Sequence, residues 1–244
     1  MLKLILRAAT AALFLLAGHI TPGIAQTVSD QQRAEIEQIV REYILDHPEI
    51  IPEAMDVLRE RMVSDLISTH AKALFENPDT PVAGNPKGDV TIVEFIDYAC
   101  GYCKAMLPRI QRALLEDGNI ELRLIEFPIL SDTSITAARA ALAARYQDKY
   151  TPFHMTLMGM KARLTEDKVY TMAKDVGLDV GRLKKDMKRP EIGKMINDNR
   201  QLARDLRIEG TPALVVGHKM VSGAVSYDEL MEMVAAVREK NAGD

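Results

Sequence analysis

Apolar positions recur at steps of three and four along the first third of the chain. Ile36, Ile39, Val40, Tyr43 and Ile44 form one stripe, closed by Asp46 and Pro48. Ser29 and Gln32 ahead of it have capping-box spacing, so a helix is expected to open there. Ile51, Met55, Leu58, Met62 and Leu66 make a second stripe, with Pro52 in a favoured first-turn position. Glu53, Arg59, Glu60, Arg61 and Asp65 occupy its other faces. One apolar stripe on a charged helix needs a partner. Two partners are open: the rest of the same chain, or another copy through a short coiled-coil seam.

The pattern breaks at "ENPDTPVAGNPKGD" (Glu76 to Asp89), whose three prolines and two glycines suit a linker with at most a short edge strand. Beyond it, "VTIVEFI" (Val90 to Ile96) reads as a buried strand. "KAMLPRIQRALLED" reads as a helix ending at Gly118, with Pro108 expected to kink it. "IELRLIEF" (Ile120 to Phe127) is a second strand, stopped by Pro128. A strand–helix–strand unit predicts a parallel pair with a right-handed crossover. Helical stretches come next: "TSITAARAALAARYQ" after the capping residues Ser131 and Asp132, "TPFHMTLMGMKA", "TEDKVYTMAKDVG" between Thr165 and Gly177, and one from about Glu191 to Leu206. "LVVGHKMV" predicts two strands joined at Gly217 and His218, and Ser226 with Glu229 opens a last capped helix.

The extreme N-terminus sets the compartment. Lys3 and Arg7 precede the apolar "AALFLLAG", and Gly23 and Ala25 form a small-x-small site. This is the pattern of a secretory signal peptide over residues 1–25, cleaved after Ala25, and it implies the periplasm. A membrane anchor is the competing reading, but the apolar run is too short to span a bilayer. Cleavage takes the formal net charge from −4 to −6. An acidic chain without basic clusters has no electrostatic footprint for nucleic acid. Aromatics are 5% and tryptophan is absent, so aliphatics and the 13 methionines must fill the core.

Cys100 and Cys103 are the only cysteines. A disulfide between them closes a very small ring and removes little entropy from the unfolded chain, so it is a poor staple. Residues three apart on a helix have Cβ atoms about 5–6 Å apart, and a disulfide wants about 3.5–4.5 Å, so a modest adjustment interconverts dithiol and disulfide. At a helix start Cys100 faces unpaired N–H groups that favour its thiolate, while Cys103 is shielded one turn inside. Cys100 is then the attacking sulfur and Cys103 the resolving one. Half of a zinc site is the alternative. It lacks a second cysteine pair, and His70, His154 and His218 are scattered without ligand spacing. No metal and no cofactor are expected.

"EGTPAL" holds Thr211-Pro212, which is either an ordinary trans strand start or a cis peptide beside the cysteines. Glu94 shares an alternation face with Ile92 and Ile96. It is either an acid leaning to solvent or a buried carboxyl able to relay a proton for Cys103. Asp97, Tyr98 and Lys104 flank the pair, and nothing ranks them. His154 with Met155, Met158 and Met160 is either a soft copper site or core filling.

"VTIVEFIDYACGYC" followed far downstream by "GTPALVV" resembles the thioredoxin superfamily, specifically its DsbA-like branch, over residues 80–240. The resemblance implies an α/β thioredoxin fold over residues 90–244 with a helical insertion at about 131–206. A linker at 76–89 and an N-terminal helical arm at 26–75 precede it. "GNPKGDVTIVEFIDYACGYC", preceded by "REYILDHPEIIPEAM", further resembles the suppressor-of-copper-sensitivity C proteins. The family implies a buried acid at Glu94 and a cis Thr211-Pro212 that helps bind extended clients and keeps metals off the thiols. Thr211, Pro212, Gly101 and Tyr102 are the expected substrate-binding residues. The Gly101-Tyr102 dipeptide, with Thr before the proline, resembles periplasmic disulfide isomerases. The expectation is thiol-disulfide exchange on unfolded or misoxidised secreted polypeptides, by a homo-oligomer held through residues 26–75 and served by a membrane redox partner. A monomeric dithiol oxidase, a copper-binding redox chaperone and a scaffold whose arm matters more than its thiols are the alternatives.

Overall fold

The computed structural model describes residues 29–243, so the expected signal peptide lies outside the described residues. Helix α1 (Asp30–Asp46) opens on the expected capping box: Ser29 Oγ accepts from Gln32 N at 3.2 Å, and Ser29 N donates to Gln32 Oε1 at 3.0 Å. Helix α1 buries none of its residues. Helix α2 (Ile50–Thr69) carries Pro52 in its first turn. The chain divides into compact units at Ala54/Met55, inside α2. Ile67 on α2 and Leu74 on the π-turn Lys72–Glu76 are buried in one aliphatic cluster with Val93, Phe95 and Ile125, which ties them to the sheet.

The strands are β1 (Val82–Gly84), β2 (Val90–Ile96), β3 (Ile120–Glu126), β4 (Ala213–Val216) and β5 (Lys219–Ser222), in the order β1-β3-β2-β4-β5. β2 and β3 are parallel from Val90 opposite Ile120 to Ile96 opposite Glu126, joined by α3 (Gly101–Asp117) as the crossover. β1 adds antiparallel to the outside of β3, the short edge strand allowed for the linker. β4 runs antiparallel to β2, and β5 completes the predicted hairpin around Gly217, whose φ of +59° suits glycine. Pro108 lies exposed within α3 without dividing it.

Alternation along the central strands sends side chains to two cores. Ile92, Ile96, Leu122, Leu124, Leu214 and Val216 face one, with Met106 and Ile110 of α3 and Leu230 and Val234 of α9 (Tyr227–Gly243). The opposite face joins Val93, Phe95, Ile125 and Val215 to Ile67, Leu74, Leu202 and Leu206. Between β3 and β4 the insertion forms α4 (Asp132–Ala144), α5 (Tyr150–Gly159), α6 (Glu166–Asp175), α7 (Val180–Asp186) and α8 (Pro190–Asp205). The alanines of α4 are buried, which lets the neighbouring helices approach closely. Helix α7 was not legible in the pattern. It is seven residues long and opens on Asp179, whose Oδ1 accepts from Arg182 N at 2.9 Å. Among the described residues no helix is long and apolar enough to cross a membrane.

Candidate active site

β2 delivers the chain to the site, and Asp97 shapes the turn just beyond the strand. Its carboxylate accepts from Ala99 N at 2.7 Å and from Ile129 N and Leu130 N at 2.9 and 3.0 Å. One buried side chain thus holds the strand-to-helix turn against the loop after β3. Its own carbonyl accepts from Cys100 N at 3.0 Å. Cys100 is the N-cap of α3, with extended backbone, and Cys103 lies one turn in. Both are free thiols. Gly101 and Tyr102 are exposed between them, Tyr102 at 70%.

Thr211-Pro212 is cis and meets the cysteines from the other side. The Cys100 thiol donates to the Thr211 carbonyl at 3.1 Å across 111 residues of sequence. Of the two readings of "EGTPAL", the structure has the cis peptide beside the pair.

Cys103 is 2% exposed, and burial pushes its thiol far above the ordinary range, with the nearby Glu94 and Cys100 charges adding to the effect. Glu94 is buried, not turned to solvent. Its strand neighbours in register are Leu124 and Leu214, and burial raises its carboxyl to about 8. A buried acid near neutrality beside a thiol that holds its proton is chemically suited to give and take that proton.

Of the three flanking residues left unranked by the sequence, Asp97 holds the turn, while Lys104 and Tyr98 part company. Lys104 Nζ donates to Met160 O at 2.8 Å, and burial lowers its pKa. Ala99, Gly101, Lys104, Ser131 and Lys161 line a groove of about 430 Å³ beside the helix start. Tyr98 turns inward. Its hydroxyl donates to Glu126 Oε1 at 2.8 Å and lies 3.1 Å from His154 Nδ1, while Tyr150 also donates to Glu126 Oε1 at 2.8 Å. Burial raises Glu126 to about 8 against the two hydroxyl donors that lower it, and lowers His154 to about 4. Glu126 was missed in the sequence, although it continues the buried alternation Ile120, Leu122, Leu124. Met158 and Met160 are buried in the main core, and Met155 Sδ accepts from Gln111 Nε2 at 3.5 Å. Among the described residues no group of three or more His, Cys, Asp and Glu side chains is placed to hold a metal ion.

Comparison with known proteins agrees with this geometry. Residues 91–235 match the family described as DSBA-like thioredoxin domain, and residues 32–62 match the copper resistance protein ScsC N-terminal domain. A thioredoxin-like oxidoreductase from Silicibacter pomeroyi is 44% identical, covering 69% of this chain and 97% of that one, with a TM-score of 0.68. The thiol-disulfide exchange protein alpha-DsbA2 from Wolbachia pipientis is 32% identical over 75% of this chain and 97% of its own, with a TM-score of 0.69. A linker-deleted mutant of Proteus mirabilis ScsC is 26% identical over 88% of this chain and 99% of its own, with a TM-score of 0.68. The chain belongs to the DsbA-like thioredoxin family, on its ScsC-like side. It is a thiol-disulfide oxidoreductase.

Proposed function

We propose that this protein exchanges disulfides with secreted polypeptides in the periplasm through Cys100 and Cys103, acting as an oligomeric disulfide isomerase and reductase. The observation that carries the reading is the pairing of Cys100 at the α3 start with the Thr211 carbonyl, while Cys103 lies shielded behind it. A client disulfide is attacked by the Cys100 thiolate. One client sulfur bonds to Cys100 and the other leaves as a thiolate. Cys103 then gives its proton to the Glu94 carboxylate and attacks Cys100. The Cys100–Cys103 bond forms and the second client sulfur leaves, so the client gains two electrons and the pair loses two. For isomerisation, a different client thiolate displaces Cys100 instead and Cys103 is not used. Exposed Tyr102, Ile129 and Leu130 offer apolar contact to an extended client next to the sulfurs.

Oligomerisation is supported by the arm. Ile36, Ile39, Val40 and Tyr43 on α1, and Ile51, Met55, Leu58 and Met62 on α2, are each between 41% and 64% exposed. Two apolar stripes left open on consecutive helices suit burial against further copies. Several active sites on one assembly then act on one misfolded client, and a membrane reductase keeps them reduced.

Measurements on the full-length mature chain test this. Light scattering should show an oligomer that falls to a monomer in Ile39→Glu, Leu58→Glu. That variant should still reduce insulin but lose most shuffling of scrambled ribonuclease. Undiminished shuffling by the monomer would leave a monomeric oxidase or reductase as the better account. Recovery of the protein from a periplasmic extract with Gln26 at its N-terminus checks the compartment.

A further inference from the structure

Glu94 and Glu126 are both buried acids, and both side chains lie on the α3 side of the sheet, one on β2 and the other on β3. The Glu94 carboxyl makes no hydrogen bond to a side chain or backbone group among the described residues, while its backbone pairs within the sheet, and burial alone accounts for its raised pKa. It lines a cavity of about 10 Å³ with Cys103 and His154, among aliphatic and methionine side chains. That is about the volume that one water needs. His154 therefore has one ring nitrogen beside Tyr98 and lines, with Cys103, the space next to Glu94. On the far side Glu126 Oε1 receives Tyr98 and Tyr150, and Glu126 Oε2 is buried without a partner.

The Tyr98 hydroxyl has one proton and lies within hydrogen-bond distance of Glu126 and His154, and with the neighbouring Tyr150 hydroxyl donating to Glu126 throughout, two arrangements link the three groups. In the first, Tyr98 donates to an ionised Glu126, His154 donates Nδ1–H to Tyr98, and Nε2 is an open acceptor. In the second, a protonated Glu126 donates to Tyr98, Tyr98 donates to Nδ1, and His154 carries Nε2–H. The two differ by one proton added at Nε2 and one delivered to Glu126. His154 is neutral in both, as its burial requires.

We propose that His154 and Tyr98 form a proton relay that joins Glu94, beside Cys103, to Glu126. The inference rests on the exchange chemistry proposed above. When Cys103 attacks the Cys100–client disulfide, its proton goes to the Glu94 carboxylate, then through the cavity to Nε2, and on by the Tyr98 shift to Glu126. The Cys103–Cys100 bond forms, and the client sulfur leaves as a thiolate and takes its proton from water. When a client reduces the pair, Cys103 leaves and the same proton returns. Both carboxyls sit at about 8, so handing the proton from one to the other is close to level. The other charged groups that bear on the cluster are Asp97, which raises Glu126, and Arg145, which acts on Tyr150. Cys100 and Cys103 lie on the Glu94 side.

The test uses full-length protein carrying glutathione on Cys100, with glutathione release followed from pH 6 to 9 in H₂O and D₂O. Tyr98→Phe removes one hydroxyl and keeps the ring. It should slow release about tenfold, less than the ~100-fold lower limit for losing a positioned acid or base, because Glu94 remains. The solvent isotope effect and the pH profile should change with the rate, which a purely structural defect would not produce. Infrared spectra should show a protonated-carboxyl band growing on release in the parent and missing in Glu126→Gln. If Tyr98→Phe does not fold, His154→Gln is the deciding variant. A folded variant with the parent's rate, isotope effect and profile overturns the relay and leaves the exchange reading standing. A parent that never releases glutathione removes both.

Discussion

Glu94 and Leu124 face each other in register across the parallel β2–β3 pair, so the buried carboxyl meets an aliphatic chain where a cation would have held it ionised. This relationship accounts for an acid raised to about 8 without any charged partner. A group whose folded pKa lies above its unfolded value of about 4.5 binds more protons in the folded state between those limits. Stability from this site is therefore lost as pH rises from about 4.5 to 8 and is level above. Glu94→Gln removes the dependence. Its urea midpoint should gain on the parent across that window, by on the order of a few kcal/mol at the alkaline end. A constant difference at every pH would contradict the assignment.

The same register predicts the effect of supplying the missing cation. Leu124→Lys places an ammonium beside Glu94 and favours its carboxylate. The infrared titration of Glu94 should move down toward the ordinary carboxylate range. Proton delivery to Cys103 as it leaves should slow, because less of the acid form is present at neutral pH. An unmoved titration with the fold intact would count against a shift caused by the lack of a partner.

The asymmetry of the two cysteines is checked by trapping. With Cys100 at the helix start and Cys103 shielded with its proton held, Cys103→Ser should accumulate mixed disulfides with clients on Cys100. Cys100→Ser should accumulate none. Iodoacetamide should label Cys100 first in the reduced parent, as read by peptide mass. Equal labelling would remove the assignment of roles.

Much of the fold was legible because its signals are local. The capping boxes at Ser29–Gln32 and Ser226–Glu229 and the Gly217 turn are each decided within four residues, and each is present. The strand-to-helix placement of Cys100 follows from the change of period between Ile96 and Lys104. Contacts that depend on the whole fold were not legible. Tyr98 and His154 are 56 residues apart, and Cys100 and Thr211 are 111 apart. Here the family resemblance supplied the second contact and nothing supplied the first. Helix α7 escaped because seven residues hold too few apolar positions to show a period.

Asp97 is a second residue whose weight only the fold reveals. It binds three backbone N–H groups from two separate segments. Asp97→Ala takes the shared partner from three part-buried donors and should cost about 3 kcal/mol, at about 1 kcal/mol for each hydrogen bond, read from urea unfolding. Because Ile129 and Leu130 are released together with the turn before Cys100, client exchange should slow as well. A variant of parent stability would mean that water replaces the carboxylate there.

The division of α2 sets where the arm can be removed. Deleting residues 26–54 takes away α1 and the first residues of α2, which lie outside the compact unit that begins at Met55. Deleting 26–75 also takes Ile67 and Leu74, 2% and 0% exposed, from the cluster behind Val93 and Phe95. Each buried aliphatic of this size contributes about 2–5 kcal/mol when truncated to alanine, and loss of both is comparable with the whole stability of a domain. The shorter deletion should therefore melt cooperatively and keep insulin reduction, whereas the longer one should be unfolded or aggregate. Ile67→Ala in the intact chain separates the two effects: it should lower the melting temperature with the oligomer unchanged. If the 26–75 deletion melts like the parent, the second half of α2 is an appendage and the sheet's rear core closes without it.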